Sequence, residues 1–196
     1  MRFVLLNLLL IISINMEAQM FTVVKITQKS LVRSKLYKFS NDENIVDSLY
    51  KIVLKADSSG RSKLTYFFPI PNVDTLSLIE ELLSFEGDKR ICSLPIQNYD
   101  PLLSQIYMGK LKRYSIQLEA LYIINHLYFD VPYKYSPYPI LIDNGGRQES
   151  VEGRLVEKAY ISYKDWLKKL KKIGLREAKH KEISPLDEYS SVKWYH

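Results

Sequence analysis

The chain has 196 residues, of which 46% are hydrophobic and 26% charged, with a formal charge of +6. It is too apolar for intrinsic disorder and too charged for a multi-span membrane protein, and its length suits one domain that buries its own core. A single cysteine excludes an intramolecular disulfide and every multi-cysteine zinc or iron–sulfur site, and three histidines exclude a histidine-rich metal centre.

Residues 1–18 have the three-part layout of a secretory signal peptide. Arg2 supplies a short positive start, residues 3–14 are apolar apart from Asn7 and Ser13, and Ala18 offers a small residue for cleavage before Gln19. The apolar run is well short of the roughly 20 residues that span a bilayer. The only cysteine, Cys92, lies too far downstream to accept a lipid. These features predict export to the periplasm or the extracellular space, and the absence of any N-x-Ser/Thr sequon leans toward a bacterial envelope. An N-terminal segment, 19–39, follows and is read as extended first and helical later. The remaining 40–196 form the globular domain.

Ser40-Asn41-Asp42-Glu43 fits a capping box, and Ile45, Leu49, Ile52, Val53 and Ala56 then recur at helical spacing. Prolines 69 and 71 bar a helix there. Asn72 or Asp74 caps the next one, whose face is Leu76, Ile79, Leu82 and Leu83 and whose end is marked by Gly87. Asp100-Pro101 opens a third helix that Gly109 closes. Residues 114–130 are apolar nearly all round, as in a buried central helix. A Tyr/Pro-rich connector is too proline-dense for helix. Beyond it, Val156, Ala159, Tyr160, Tyr163, Trp166, Leu167, Leu170 and Ile173 form one apolar stripe on a helix from about 149 to 173, with Gly174 as its stop. A short helical piece, 175–182, precedes the tail. The predicted fold is all-α: a single helical bundle, or a short solenoid-like stack, of about five to six helices.

The positive charge is local. Residues 154–182 hold ten bases against four acids, and the stretch from 19 to 153 is nearly neutral. On the long helix Lys164, Lys168, Lys169 and Lys172 fall largely opposite the apolar stripe, which makes them candidates for docking an acidic partner. Tyr133, Tyr135 and Tyr138 of the connector are candidate contact residues because tyrosine joins a rigid apolar body to a polar tip. Glu119, Tyr122, His126 and Asp130 share a helical face, so His126 with Asp130 or Glu119 could form a general base with an orienting carboxylate. Cys92 lies beside Lys89 and Arg90, yet reads best as a small buried thiol.

No nucleotide loop, zinc-protease helix, serine elbow or EF-hand loop occurs, and nothing points to a cofactor, a metal or nucleic acid. The sequence therefore reads as an exported, non-catalytic binding protein, immunity- or adaptor-like, that contacts an acidic protein through its basic C-terminal helix. The alternatives are a small envelope hydrolase-like enzyme using His126 and a peripheral module on an anionic membrane surface.

Overall fold

The structure, a computed structural model, describes residues 20–26, 48–54, 74–96, 107, 109–151 and 153–196. Two strands come first. β1 (Phe21–Ile26) and β2 (Leu49–Leu54) pair antiparallel along their whole length, from Phe21 opposite Leu54 to Ile26 opposite Leu49. The Glu81 carboxylate accepts the Met20 and Phe21 amides and so ties the start of β1 to the first described helix. That helix, α1 (Thr75–Leu83), begins at Asp74, whose carboxylate accepts the Leu76 and Ser77 amides. It buries Leu78, Ile79, Leu82 and Leu83, and Gly87 follows at φ +82°, a conformation that glycine enters without steric cost.

The segment after α1 runs extended. Tyr50 bridges to Cys92 and Ile91 to Ser115, which carries the backbone from the first sheet to the head of α2 (Ile116–Tyr128). Every residue from Ile116 to Asn125 is buried, so α2 is the axis of the core. A one-turn helix, α3 (Pro132–Tyr135), leads to the second sheet, in which β4 (Gln148–Glu149), β3 (Leu141–Asp143) and β5 (Val192–Trp194) lie in that order, antiparallel throughout. Between β4 and β5 come α4 (Gly153–Ile173) and α5 (Leu175–His180), separated by Gly174 at φ +84°. α1 packs on α2 and α4, β2 packs on α2, and β3 and β5 pack on α4.

The all-α bundle or solenoid-like stack predicted from the sequence is overturned: the described residues form a mixed α/β fold with two small sheets. The clearest correction is at 49–54. Leu49, Ile52 and Val53 match the i, i+3, i+4 face of a helix, yet the segment is strand β2, rich in β-branched residues and completed by its ladder with β1. The Tyr/Pro connector holds both a helical turn and β3, and the tail holds β5; neither three-residue strand is long enough to display a period. The signal-like run, the capping box at Ser40 and the helix expected from Asp100-Pro101 lie outside the described residues, apart from Tyr107 and Gly109. No helix among the described residues is long and apolar enough to cross a membrane.

Many of the 15 tyrosines act as internal struts. The Tyr163 hydroxyl donates to Asn125 Oδ1 at 2.6 Å and accepts the Trp194 indole N–H at 3.0 Å, joining α4, α2 and β5 in one buried chain. The Tyr160 hydroxyl donates to the Gln117 carbonyl at 2.9 Å. The Tyr128 hydroxyl and the Trp166 indole N–H both donate to the Ile183 carbonyl, which fastens the segment after α5 against α2 and α4.

Candidate functional site

α4 is strongly amphipathic. Leu155, Val156, Ala159, Tyr160, Tyr163, Trp166, Leu167 and Leu170 are buried, and the exposed side carries the cations together with Glu157, Ile161 and Asp165. The structure sorts those cations by edge. On the side facing α1, Lys164 pairs with Glu86, and Lys171 pairs with Glu80 at 2.7 Å. Lys168 pairs with Asp165 on its own helix at 2.8 Å. Arg154, Lys158, Lys169 and Lys172 are exposed and make no ion pair among the described residues. Near the middle of this solvent face Ile161 is 61% exposed, with Lys158 and Lys164 one turn to either side.

At its head, α4 meets the β3–β4 hairpin around a cavity of about 560 Å³. Arg147, Arg154 and Lys158 lie on its wall with Asp143 and Glu149, and Leu111, Val151 and Leu155 add an apolar side. The hairpin turns at Asp143-Asn144-Gly145-Gly146. Asp143 Oδ1 accepts the Gly145 and Arg147 amides, both at 2.9 Å, and Gly146 takes φ +76°. The amide of Arg147, then that of Gly145, holds the Asp143 carboxyl below its usual range. Glu149 caps α4, accepting the amides of Arg154, Leu155 and Val156. Both acids on the wall are thus engaged by backbone donors.

Of the residues nominated from sequence, Lys164, Lys168, Lys169 and Lys172 share the exposed side of α4, although Lys164 and Lys168 have acidic partners. The tyrosines do not form a surface with them. Tyr138 is 8% exposed and packs with Tyr107 and Tyr195. Tyr135 stacks on Phe129 at 4.0 Å, and its hydroxyl donates to the Leu186 carbonyl and accepts the Leu186 amide. Tyr133 is half-buried.

The members of the carboxylate–histidine line meet different surroundings along and just after α2. Asp130 is exposed and accepts from Lys179 at 2.8 Å, a bond that lowers its carboxyl value. His126 is pressed against Tyr122, with ring centroids 4.9 Å apart, and burial pushes the imidazole down to about 4. Glu119 is fully buried, and neither of its oxygens has a hydrogen bond among the described residues; burial pushes it up to about 8, against the pull of Lys51. Cys92 is a buried thiol, pushed up to about 11 by burial. Its cationic neighbours in space are Lys51 and Arg113 rather than the adjacent Lys89 and Arg90. Among the described residues no group of three or more His, Cys, Asp or Glu side chains is placed to hold a metal ion.

The cavity at the head of α4 was missed from sequence because Arg147 joins Arg154 and Lys158 only through the hairpin. The Asp-Asn-Gly-Gly run between short apolar segments is the signal that could have revealed it. Comparison with protein-family models, curated proteins and solved structures returns no match for this chain.

Proposed function

We propose that this chain is an exported binding protein that docks an acidic protein partner through the solvent face of α4. The observation that carries this reading is Ile161, an exposed aliphatic side chain on a helix face whose Arg154, Lys158, Lys169 and Lys172 lack acidic partners among the described residues. An apolar anchor inside a charged rim is the usual anatomy of a contact hot spot, and a surplus of exposed cations steers an acidic surface toward it. The proposed export rests on the signal-like run at residues 1–18.

The test is affinity capture from the native cell envelope, with wild type, Ile161→Glu and Lys168→Glu/Lys169→Glu/Lys172→Glu run side by side. The expected result is an acidic protein retained by wild type, released as salt rises, and lost with either variant. Retention of the same protein by both variants overturns the reading. Binding to anionic vesicles with the same variant dependence, and no protein captured, gives the face to a membrane surface instead.

A further inference from the structure

The cavity at the head of α4 shares Arg154 and Lys158 with the basic face around Ile161, but it adds Arg147 and an apolar lining and so has a different chemistry. We propose that it is a binding site for a small organic oxyanion, a carboxylate or phosphate carried on a short apolar body. Three cations converge on it from two elements, Arg147 from the β3–β4 hairpin and Arg154 and Lys158 from successive turns of α4. Neither Arg154 nor Lys158 has an ion pair among the described residues. Arg147 has only a long contact to Asp143, 3.8 Å from Nε to Oδ2, on a side chain that is largely exposed.

The acids offset only part of this charge: three cations line the cavity against two carboxylates, and Asp143 acts on Arg147 and Lys158. Glu149 directs its oxygens at three amides of the first turn of α4, and Asp143 Oδ1 at two amides of the hairpin turn. The Glu149 bonds tie the end of the hairpin to the first turn of α4 and so bring the backbones of Arg147 and Arg154 to the same cavity. A guanidinium offers a planar pair of donors that matches an oxyanion edge, and Lys158 adds a point charge beside it. Leu111, Val151 and Leu155 add apolar lining to the same cavity. A volume of about 560 Å³ admits a single-ring body rather than a bare ion. The ligand class thus follows from a lining that is part cationic and part apolar: an oxyanion head with a small hydrophobic tail.

The experiment is titration calorimetry of the folded chain at physiological ionic strength with three probes: phenyl phosphate, benzoate and inorganic phosphate. Saturable one-to-one binding of phenyl phosphate or benzoate is expected, with inorganic phosphate weaker. Arg154→Gln and Lys158→Gln each lower the affinity by about tenfold, the scale of one charge-assisted contact, whereas Lys169→Gln/Lys172→Gln leaves it unchanged. Arg154 and Lys158 are exposed, so both variants are expected to melt like wild type, and thermal unfolding checks this. No saturable binding of either organic probe overturns the proposal, as does an affinity that survives Arg154→Gln. Inorganic phosphate binding as tightly as phenyl phosphate overturns the role given to the apolar lining. None of these outcomes depends on whether an acidic protein docks at Ile161.

Discussion

Glu119 sits on the most buried of the described helices, and the charge acting on it comes from Lys51 on β2. Desolvation dominates: it raises the carboxyl from 4.5 to about 8, and it lowers the Lys51 ammonium below its ordinary value. The sign of the linkage follows. A group whose folded value is raised contributes stability that is full below about 4.5 and is lost as pH climbs through 8. His126 works the other way. Its folded value is lowered from 6.5 to about 4, so its contribution is full above 6.5 and fades as pH falls through 4. Glu119→Gln, which keeps the shape and removes the charge, is therefore expected to raise the melting temperature at pH 8 and to flatten the fall in stability between about pH 4.5 and 8. At pH 4 the same substitution is nearly silent. Thermal melts of both proteins across pH 4–9 check this, and equal slopes between pH 4.5 and 8 would remove Glu119 as the cause.

Among the elements, the buried chain of Asn125, Tyr163 and Trp194 is the joint between the two halves of the core. Tyr163→Phe keeps the ring but strands the Trp194 N–H and Asn125 Oδ1. The expected loss is roughly 1–3 kcal/mol, measured by urea unfolding, because both groups are buried and neither regains water. Legibility from sequence also divides by element. α2 and α4 were readable because their periods run through many turns, and α1 because Asp74 caps it. β2 was not readable, since its residues satisfy a helical spacing and its true partner, β1, lies far back along the chain. β3 and β5 are too short to carry a period. The basic side of α4 could be read from spacing alone. Its division into edges could not, because Glu80 and Glu86 reach Lys171 and Lys164 only once α1 lies beside α4. Tyr135 and Tyr138 failed as a surface for a similar reason: composition counts tyrosines without saying which way they face.

For the molecule as a whole, charge has two separate uses. Part of the positive excess clamps α4 to α1, and part faces outward. The clamping pairs are exposed, so each contributes at most about 1 kcal/mol. Glu80→Gln/Glu86→Gln is expected to lower the melting temperature by no more than a few degrees while widening the basic face by two lysines. The double variant therefore retains the acidic partner to higher salt than wild type, which the same capture assay reads directly. Retention unchanged by freeing Lys164 and Lys171 would mean that the partner contacts only the far edge of the helix.

The placement of the two tryptophans makes the protein its own optical gauge. Trp166 and Trp194 are each 2% exposed, and tyrosine rings stand edge-on to both: Tyr128 at 4.8 Å from Trp166, Tyr122 at 6.0 Å from Trp194. Excitation absorbed by the tyrosines should pass to the indoles, and both indoles should emit as in a dry, apolar medium. Trp166 reports on α4 against α2, whereas Trp194 reports on the second sheet. With one replaced by phenylalanine, the light from the other shows which half of the core opens first on heating.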